Sequence, residues 1–287
     1  MTKPIYRITE PGDEEGLLRV WSLAYGGDVD CAKRYFEGYY QPGDGVTAQV
    51  GDELCSAIYL IDGFRLHIPG RDPYRCSYLY ALGTPDMYRG KGYGGKTIWK
   101  SGVVGYDRGA DYVCFLPASP SLYRWYEGIL GTRTVFYRRE FSVSSSEAPA
   151  QGEISPIEPE EYDKLRETLL EHTPHAQPPQ KAIAMQRDYC ALYGGGLFRI
   201  TLGDHTGLCA VDREGDALTF RELLFPWDGV GAAQAVLSGL GGKTALVRTP
   251  VFCHEDLGQV VEDNVLVPGG VSFPKTELLP YWGLSMD

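Results

Sequence analysis

Apolar positions along the chain recur in two rhythms. Over residues 13–25 and 29–40 they return every three to four residues, the period of a helix with one buried face. Over 45–50, 54–61 and 64–68 they alternate or run together, as strands do. YRCSYLYALG at 74–83 predicts a further strand, and a helix is predicted near 93–108. DYVCFL predicts a strand at 111–116, followed by a helix at 120–130 and a strand at 134–142. Helices, antiparallel strands and then one strand–helix–strand crossover specify a mixed α/β domain.

The second half repeats that order. Helices are predicted at 159–171 and 178–193, and strands at 197–203, 206–212 and 217–224, the last two joined by a turn at Arg213-Glu-Gly-Asp216. A helix at 229–239, a strand at 243–249 and a short helix at 254–263 follow. Between the halves, SVSSSEAPAQGE (142–153) has no apolar period and reads as a linker. The expected organisation is therefore a first domain at 1–143, a linker at 144–152 and a second domain at 153–287. The two starts also look alike. RITEPGDEEGLL (7–18) and SPIEPEEYDKL (155–165) each place acids in a first helical turn, where the helix dipole favours them. An internal duplication is the expectation.

A length of 287 residues has room for two such domains. Mean hydropathy is -0.23, and no apolar run reaches the length of a membrane span. MTKPIYRITEPGDEE has no apolar signal core, so a cytoplasmic location is expected. Seven scattered cysteines without a CxxC read as buried reduced thiols rather than a zinc site. The five histidines show no ligand spacing and are expected on the surface or in loops. Charge is shared unevenly: residues 1–146 hold 17 basic and 17 acidic side chains, and residues 147–287 hold 10 and 21. No basic face for nucleic acid is implied.

The chemistry concentrates at Tyr88-Arg-Gly-Lys-Gly-Tyr-Gly-Gly-Lys-Thr97, which follows an apolar strand and opens a helix. Glycines there let backbone N–H groups turn toward an anion, and the helix start adds positive potential. Arg89, Lys91, Lys96 and Lys100 add charge, so the loop reads as a pyrophosphate cradle. Three patterns overlap on it. Gly90-x4-Gly95-Lys96-Thr97 fits a nucleotide P-loop, and Gly90-x-Gly92-x-x-Gly95 with Asp111 fits a dinucleotide loop. Arg89-x-x-Gly92-x-Gly94 fits acyl-CoA-dependent N-acetyltransferases. TPDMYR between the strand and Gly90 argues against a P-loop, and YVCFLPAS lacks the Mg²⁺-binding acid. A single crossover argues against the dinucleotide fold.

Tyr78–Gly95 (YLYALGTPDMYRGKGYGG) resembles the core motif of the GNAT acetyltransferase superfamily. Ser121–Gly131 (SLYRWYEGILG) is similar to that family's tyrosine-bearing helix, with Tyr126 at the tyrosine, and TVFYRREF is similar to its closing strand. The resemblance spans about 5–142. It implies a mostly antiparallel central sheet flanked by helices, in two similar halves, the second degenerate. Its loop FPWDGVGAA lacks the basic residues, and Asp228 opposes pyrophosphate.

The implied activity is transfer of an acetyl group from acetyl-CoA to a primary amine of a small molecule or peptide, by direct attack. Gly90, Lys91, Gly92, Tyr93, Gly94 and Gly95 would face the pyrophosphate, with Arg89 shaping the turn. Leu82, Gly83 and Thr84 would meet the pantetheine arm, and a backbone N–H near Leu82 would polarise the thioester. Tyr126 would protonate the leaving thiolate, and Ser119 stands where the family often has asparagine. Candidates for the base are Tyr78, Tyr80, Asp52, Glu53 and the terminal carboxylate of Asp287. The aromatic run Trp21, Tyr25, Tyr35, Phe36, Tyr39 and Tyr40 is the candidate acceptor wall. A non-catalytic acyl-CoA sensor or scaffold, and a nucleotide enzyme using the same loop, are the alternatives.

Overall fold

The structure, a computed structural model, describes residues 3–26, 29–147 and 152–285. The chain opens with β1 (Ile5–Ile8), α1 (Glu14–Ala24) and α2 (Val29–Gly38). Strands β2 (Gly45–Val50), β3 (Glu53–His67) and β4 (Tyr74–Gly83) lead through a 3₁₀ turn to α3 (Tyr93–Asp107). Then come β5 (Tyr112–Phe115), α4 (Pro120–Leu130), β6 (Arg133–Thr134) and β7 (Tyr137–Ser144). The second half runs β8 (Glu153–Pro156), α5 (Pro159–Leu169), β9 (His175–Gln177), α6 (Gln180–Leu192), β10 (Gly196–Leu202), β11 (His205–Glu214) and β12 (Ala217–Leu224). It ends with α7 (Gly229–Leu240), β13 (Thr244–Pro250), β14 (Gln259–Glu262) and β15 (Val265–Leu266).

The chain divides into two compact units. The first comprises residues up to 64, 74–133 and 265–273; the second comprises 65–73, 134–264 and 274 onward. In the first sheet the strand order is β1-β2-β3-β4-β5-β15-β6, with β9 on the far end of β3. The second sheet reads β14-β7-β13-β12-β11-β10-β8. Each sheet holds a parallel pair, β4 with β5 in the first and β12 with β13 in the second. Strand for strand, β1-β2-β3-β4-β5 and β8-β10-β11-β12-β13 follow the same plan. The mixed fold of two similar halves expected from the sequence is therefore present.

The closing strand is the main departure. TVFYRREF does not complete the first sheet: β7 pairs antiparallel with β13, from Thr244↔Ser144 to Pro250↔Arg138, and so closes the second. The first sheet is closed by β15, where Val265 pairs with Phe115 and Leu266 with Cys114. Local pattern fixes that a strand forms but not which sheet accepts it. Two further corrections are local. The pieces at 54–61 and 64–68 are one strand, β3, because exposed Asp62 and Gly63 interrupt the apolar pattern without ending the pairing. The helix expected at 254–263 is instead a turn followed by β14, which pairs with β7. Of the linker expected at 144–152, residues 148–151 lie outside the described residues.

Helix ends follow ordinary chemistry. α4 starts with Pro120 and stops at Gly131 in the left-handed region (φ 67°). α7 starts at Asp228, whose carboxylate accepts from the Gly231 N–H at 2.8 Å. The first core gathers Val46, Ile58, Leu79, Ile98, Val113 and Tyr126, with Val265 and Val267 from the late segment. The second packs Phe141, Ile200, Val211, Phe220, Val236 and Val247.

In the second unit a buried ion pair interrupts the apolar packing. Arg166 on α5 and Glu222 on β12 are both fully buried, with Nε to Oε2 at 3.0 Å. Tyr162 donates to the same carboxylate at 2.8 Å, and Arg166 also donates to the carbonyls of Ala176 (2.9 Å) and Trp282 (3.2 Å). Burial disfavours the Arg166 charge, but Glu222 and Glu167 outweigh it and push the pKa upward. Removing one partner strands the other charge without water. Glu222→Leu should lower stability by about 3–5 kcal/mol in urea unfolding. Adding Arg166→Met should recover part of that loss; a double variant no more stable than Glu222→Leu would contradict the account.

Candidate active site

The site begins where β4 and β5 part. Their parallel pairing runs from Cys76↔Tyr112 to Tyr78↔Cys114. β5 ends at Phe115, whereas β4 continues to Gly83. The last part of β4, Leu79–Gly83, therefore runs beyond its pairing with β5 and offers backbone groups to an extended ligand. Ala81 within this stretch has φ 52°, a left-handed value that a non-glycine residue adopts at a cost of about 1–3 kcal/mol. No residue pattern in YRCSYLYALG marks that position. The kink re-aims the strand end, as a bulge does.

Side chains then fix the strand end in place. The Tyr25 hydroxyl donates to the Leu82 carbonyl at 2.9 Å. The Ser56 hydroxyl donates to the Gly83 carbonyl at 2.9 Å and lies 2.9 Å from the Thr84 hydroxyl. A Cβ on Gly83 would come within 3.2 Å of Ala24, so α1 packs closely over this point.

The basic loop follows. Arg89 does not extend freely: its Nε donates to the Thr84 carbonyl at 3.0 Å, and its guanidinium pairs with Asp86 at 2.7 Å. It staples the turn between β4 and α3. Gly90 and Gly92 both sit in the left-handed region, at φ 76° and 79°. Gly92 is the N-cap of α3 and has no side chain to satisfy the first N–H groups of the helix. Gly94 packs toward Thr84, where a Cβ would lie 2.9 Å from Oγ1. Lys91 and Lys96 stand exposed, over the rings of Tyr88 (5.5 Å) and Tyr6 (5.9 Å). Tyr93 is half-buried in the first turn. The result is a short run of backbone donors at a positive helix end.

Tyr126 lies on α4, 6% exposed, with its ring edge-on to Phe115 at 4.6 Å. Burial pushes its hydroxyl pKa up to about 12. It therefore holds its proton at any physiological pH. The Tyr25 pKa is raised as well, by burial and by its neighbour Tyr126. Tyr25 is 44% exposed, and its hydroxyl is held on the Leu82 carbonyl. The sequence marked Tyr25 as an aromatic wall residue; its hydrogen bond to the strand end was not legible. Ser119 is the N-cap of α4, and its hydroxyl lies 3.0 Å from that of Ser121.

The aromatic run forms one cluster. Trp21 touches Tyr25, Tyr35, Phe36, Tyr59 and Tyr80 with ring centroids 5.6–6.0 Å apart. Tyr40 joins through Phe36 at 5.2 Å. Trp21, Tyr35, Tyr40, Tyr59 and Tyr80 are buried, so the cluster is mainly core, with Phe36 and Tyr39 half-buried at its border. Among the candidate bases, Tyr78 and Tyr80 are buried on β4. Asp52 is exposed, and Glu53 accepts from the Tyr88 hydroxyl and pairs with Arg19 at 3.7 Å. Asp287 lies outside the described residues.

The corresponding parts of the second unit are filled from within. The start of α7 is capped by Asp228, which takes up a backbone donor, whereas the start of α3 has no side-chain cap. A Cβ on Gly229 would fall 2.4 Å from His254, which contacts the Phe225 carbonyl at 2.9 Å. β12 also runs on past its last pair with β13, Phe220↔Val247, but there it carries the buried Glu222. Gly283 lies over that carboxylate, since a Cβ would sit 2.3 Å from it.

The family model for the acetyltransferase (GNAT) domain matches residues 5–127. Solved structures share the fold across nearly the whole chain. A GCN5-related N-acetyltransferase from Kribbella flavida is 17% identical, with TM-score 0.66, covering 92% of this chain and 71% of that one. A second, from Anabaena variabilis, is 12% identical at TM-score 0.67, covering 92% and 72%. Eis1 from Mycobacterium abscessus is 13% identical at TM-score 0.62, covering 92% and 73%. No curated protein matches the chain.

The loop geometry has a direct thermodynamic consequence. Gly92→Ala forces a Cβ into the left-handed region and should cost about 1–2 kcal/mol in urea unfolding. Gly128→Ala, inside α4 with open space around it, should instead be neutral or stabilise by up to about 1 kcal/mol. Equal effects at the two sites would contradict the backbone assignment.

Proposed function

We propose that the GNAT acetyltransferase domain carried by residues 5–127 moves the acetyl group of acetyl-CoA to a primary amine, on a small molecule or a peptide. One observation carries this reading: α3 starts at Gly92 without a side-chain cap, beside a strand end that has parted from its neighbour. The first feature suits a pyrophosphate and the second an amide-rich arm. The residues present fit such a carrier, and the second unit, where both features are filled, does not. Acetyl-CoA supplies an activated thioester carbonyl.

The chain's own residues do the rest. N–H groups from Gly90 to Gly95 hold the pyrophosphate, with Lys91 at the rim and Arg89 keeping the turn in shape. Leu82, Gly83 and Thr84 border the arm, and the Leu82 N–H polarises the thioester carbonyl, a contribution of about 3–4 kcal/mol for a donor of this kind. Tyr25 fixes the peptide that follows Leu82. Tyr126 donates a proton to the departing sulfur, with Ser119 beside the arm. The amine enters beside the aromatic cluster, gives its ammonium proton to water and attacks the thioester carbonyl; as the C–S bond breaks, the nitrogen sheds its second proton, which restores Tyr126. Six of the seven cysteines are buried, which fits thiols kept reduced in a compartment such as the cytoplasm. No helix among the described residues is long and apolar enough to cross a membrane.

Tyr126→Phe should lower kcat by about 10²-fold or more while leaving acetyl-CoA affinity unchanged. An unchanged kcat would remove Tyr126 from the chemistry. Absence of transfer to any amine in a broad panel, with acetyl-CoA still bound, would favour the sensor. Stabilisation by ATP with Mg²⁺ but not by acetyl-CoA would overturn the reading altogether. Because Tyr126 keeps its proton up to about pH 12, rate should rise with pH as the amine deprotonates. A descending limb near pH 8–9 that disappears in Tyr126→Phe would contradict that proton's assignment.

A further inference from the structure

We propose that His67, His175 and Glu167 form a binding site for a divalent transition-metal ion of the zinc class. All three belong to the second unit, so the site is not part of the acyl-transfer machinery. The sequence reading placed the histidines on the surface or in loops without ligand spacing, and the fold corrects it for two of them. His67 ends β3, His175 begins β9, and His175 is buried.

Strand pairing sets the geometry. The register Arg65↔Gln177, Leu66↔Ala176, His67↔His175 makes the two histidines direct cross-strand partners. Directly opposed residues share one face of the sheet, and these rings stack at 5.1 Å between centroids, 12° from parallel. α5 brings Glu167 to both. Its Oε2 lies 3.0 Å from His175 Nε2 and 4.0 Å from His67 Nε2. The three ligand atoms all fall within 4.8 Å of one another. A tetrahedral zinc ion with bonds of about 2.0–2.1 Å needs ligand atoms about 3.3 Å apart, so side-chain rotations close the site.

The surroundings favour a metal. His175 Nδ1 faces the Thr173 carbonyl at 2.9 Å, the partner that holds a ring with its Nδ1–H donating, so that an ion can replace the proton between Nε2 and Glu167. Glu167 is divided: Oε1 pairs with Arg166 at 3.2 Å, while Oε2 faces the histidines. The positive charge of Arg166 is already balanced by Glu222, so it does not claim the whole of Glu167. Gln177 turns its amide nitrogen to Asp163 at 3.2 Å and its oxygen to His67 Nε2 at 3.1 Å, which adds an oxygen donor at the rim. His67 and Glu167 are 32% and 25% exposed, so an ion can enter and keep a water. Two imidazoles and a carboxylate suit zinc and its neighbours rather than magnesium or calcium, which take mainly oxygen ligands. A bound ion would tie the end of β3 to β9 and α5.

The test uses the full chain, stripped with a chelator and titrated with Zn²⁺ and Co²⁺. One equivalent of Zn²⁺ should bind. Bound Co²⁺ should show visible d–d bands without the near-ultraviolet charge-transfer band of a thiolate ligand, which sets this site apart from the cysteines. His67→Ala should weaken Zn²⁺ binding by at least about 10²-fold, more than loss of an outer partner does, with the circular dichroism unchanged. Glu167→Gln, which keeps the shape and removes the charge, should act likewise. No Zn²⁺ binding by the wild type, undiminished binding in His67→Ala, or a thiolate band would overturn the proposal.

Discussion

The site rests on one constraint: two parallel strands separate at the point where a helix begins without a cap. β4 leaves β5 after Tyr78, and its remaining residues carry backbone groups that the neighbouring strand does not reach. A few residues later, α3 opens on Gly92 with no side chain capping its first N–H groups. Unsatisfied backbone groups are costly when buried and useful when exposed to a ligand rich in acceptors. Tyr25, Ser56 and Arg89 hold the segment between these two features from three directions. The fold thus keeps an open arrangement rigid, which is what pre-organised recognition requires.

The second unit shows what the same plan becomes when it is closed. Its strands follow the same order, with a parallel pair at the same place. Yet Asp228 caps its helix, and Glu222 at the strand end is neutralised by Arg166 and Tyr162. Arginine, carboxylate and phenol satisfy one another inside the protein, so the charged groups at this end of the sheet are already engaged. The exchange of closing strands, β15 in the first sheet and β7 in the second, means that neither sheet is assembled from an uninterrupted half of the chain.

Much of this was legible in the sequence, and the exceptions have physical reasons. The first helices, the helix behind the glycine loop and the strand Tyr74–Gly83 carry strong periodicity or sharp turn chemistry, and they appear where expected. The repeated order of the second half was legible for the same reason. The partner of β7 was not, because a strand's pattern specifies its buried face and not its neighbour. HEDLGQVVED mixes acids and apolar residues at a spacing that mimics a helix, yet pairing with β7 makes its end a strand. In the site, glycines and Arg89 announced themselves by composition. The kink at Ala81 and the bond from Tyr25 to Leu82 depend on tertiary packing and left no local mark. His67 and His175 meet only because β9 pairs with the far end of β3.

One of the two similarly built units leaves its strand end and helix start uncapped, and the other has filled both. Isothermal titration of the full chain with acetyl-CoA tests this difference most directly. The account requires a single binding site per chain, lost when Gly92 and Gly94 are both replaced by valine. Two sites per chain, or binding that survives those replacements, would contradict it.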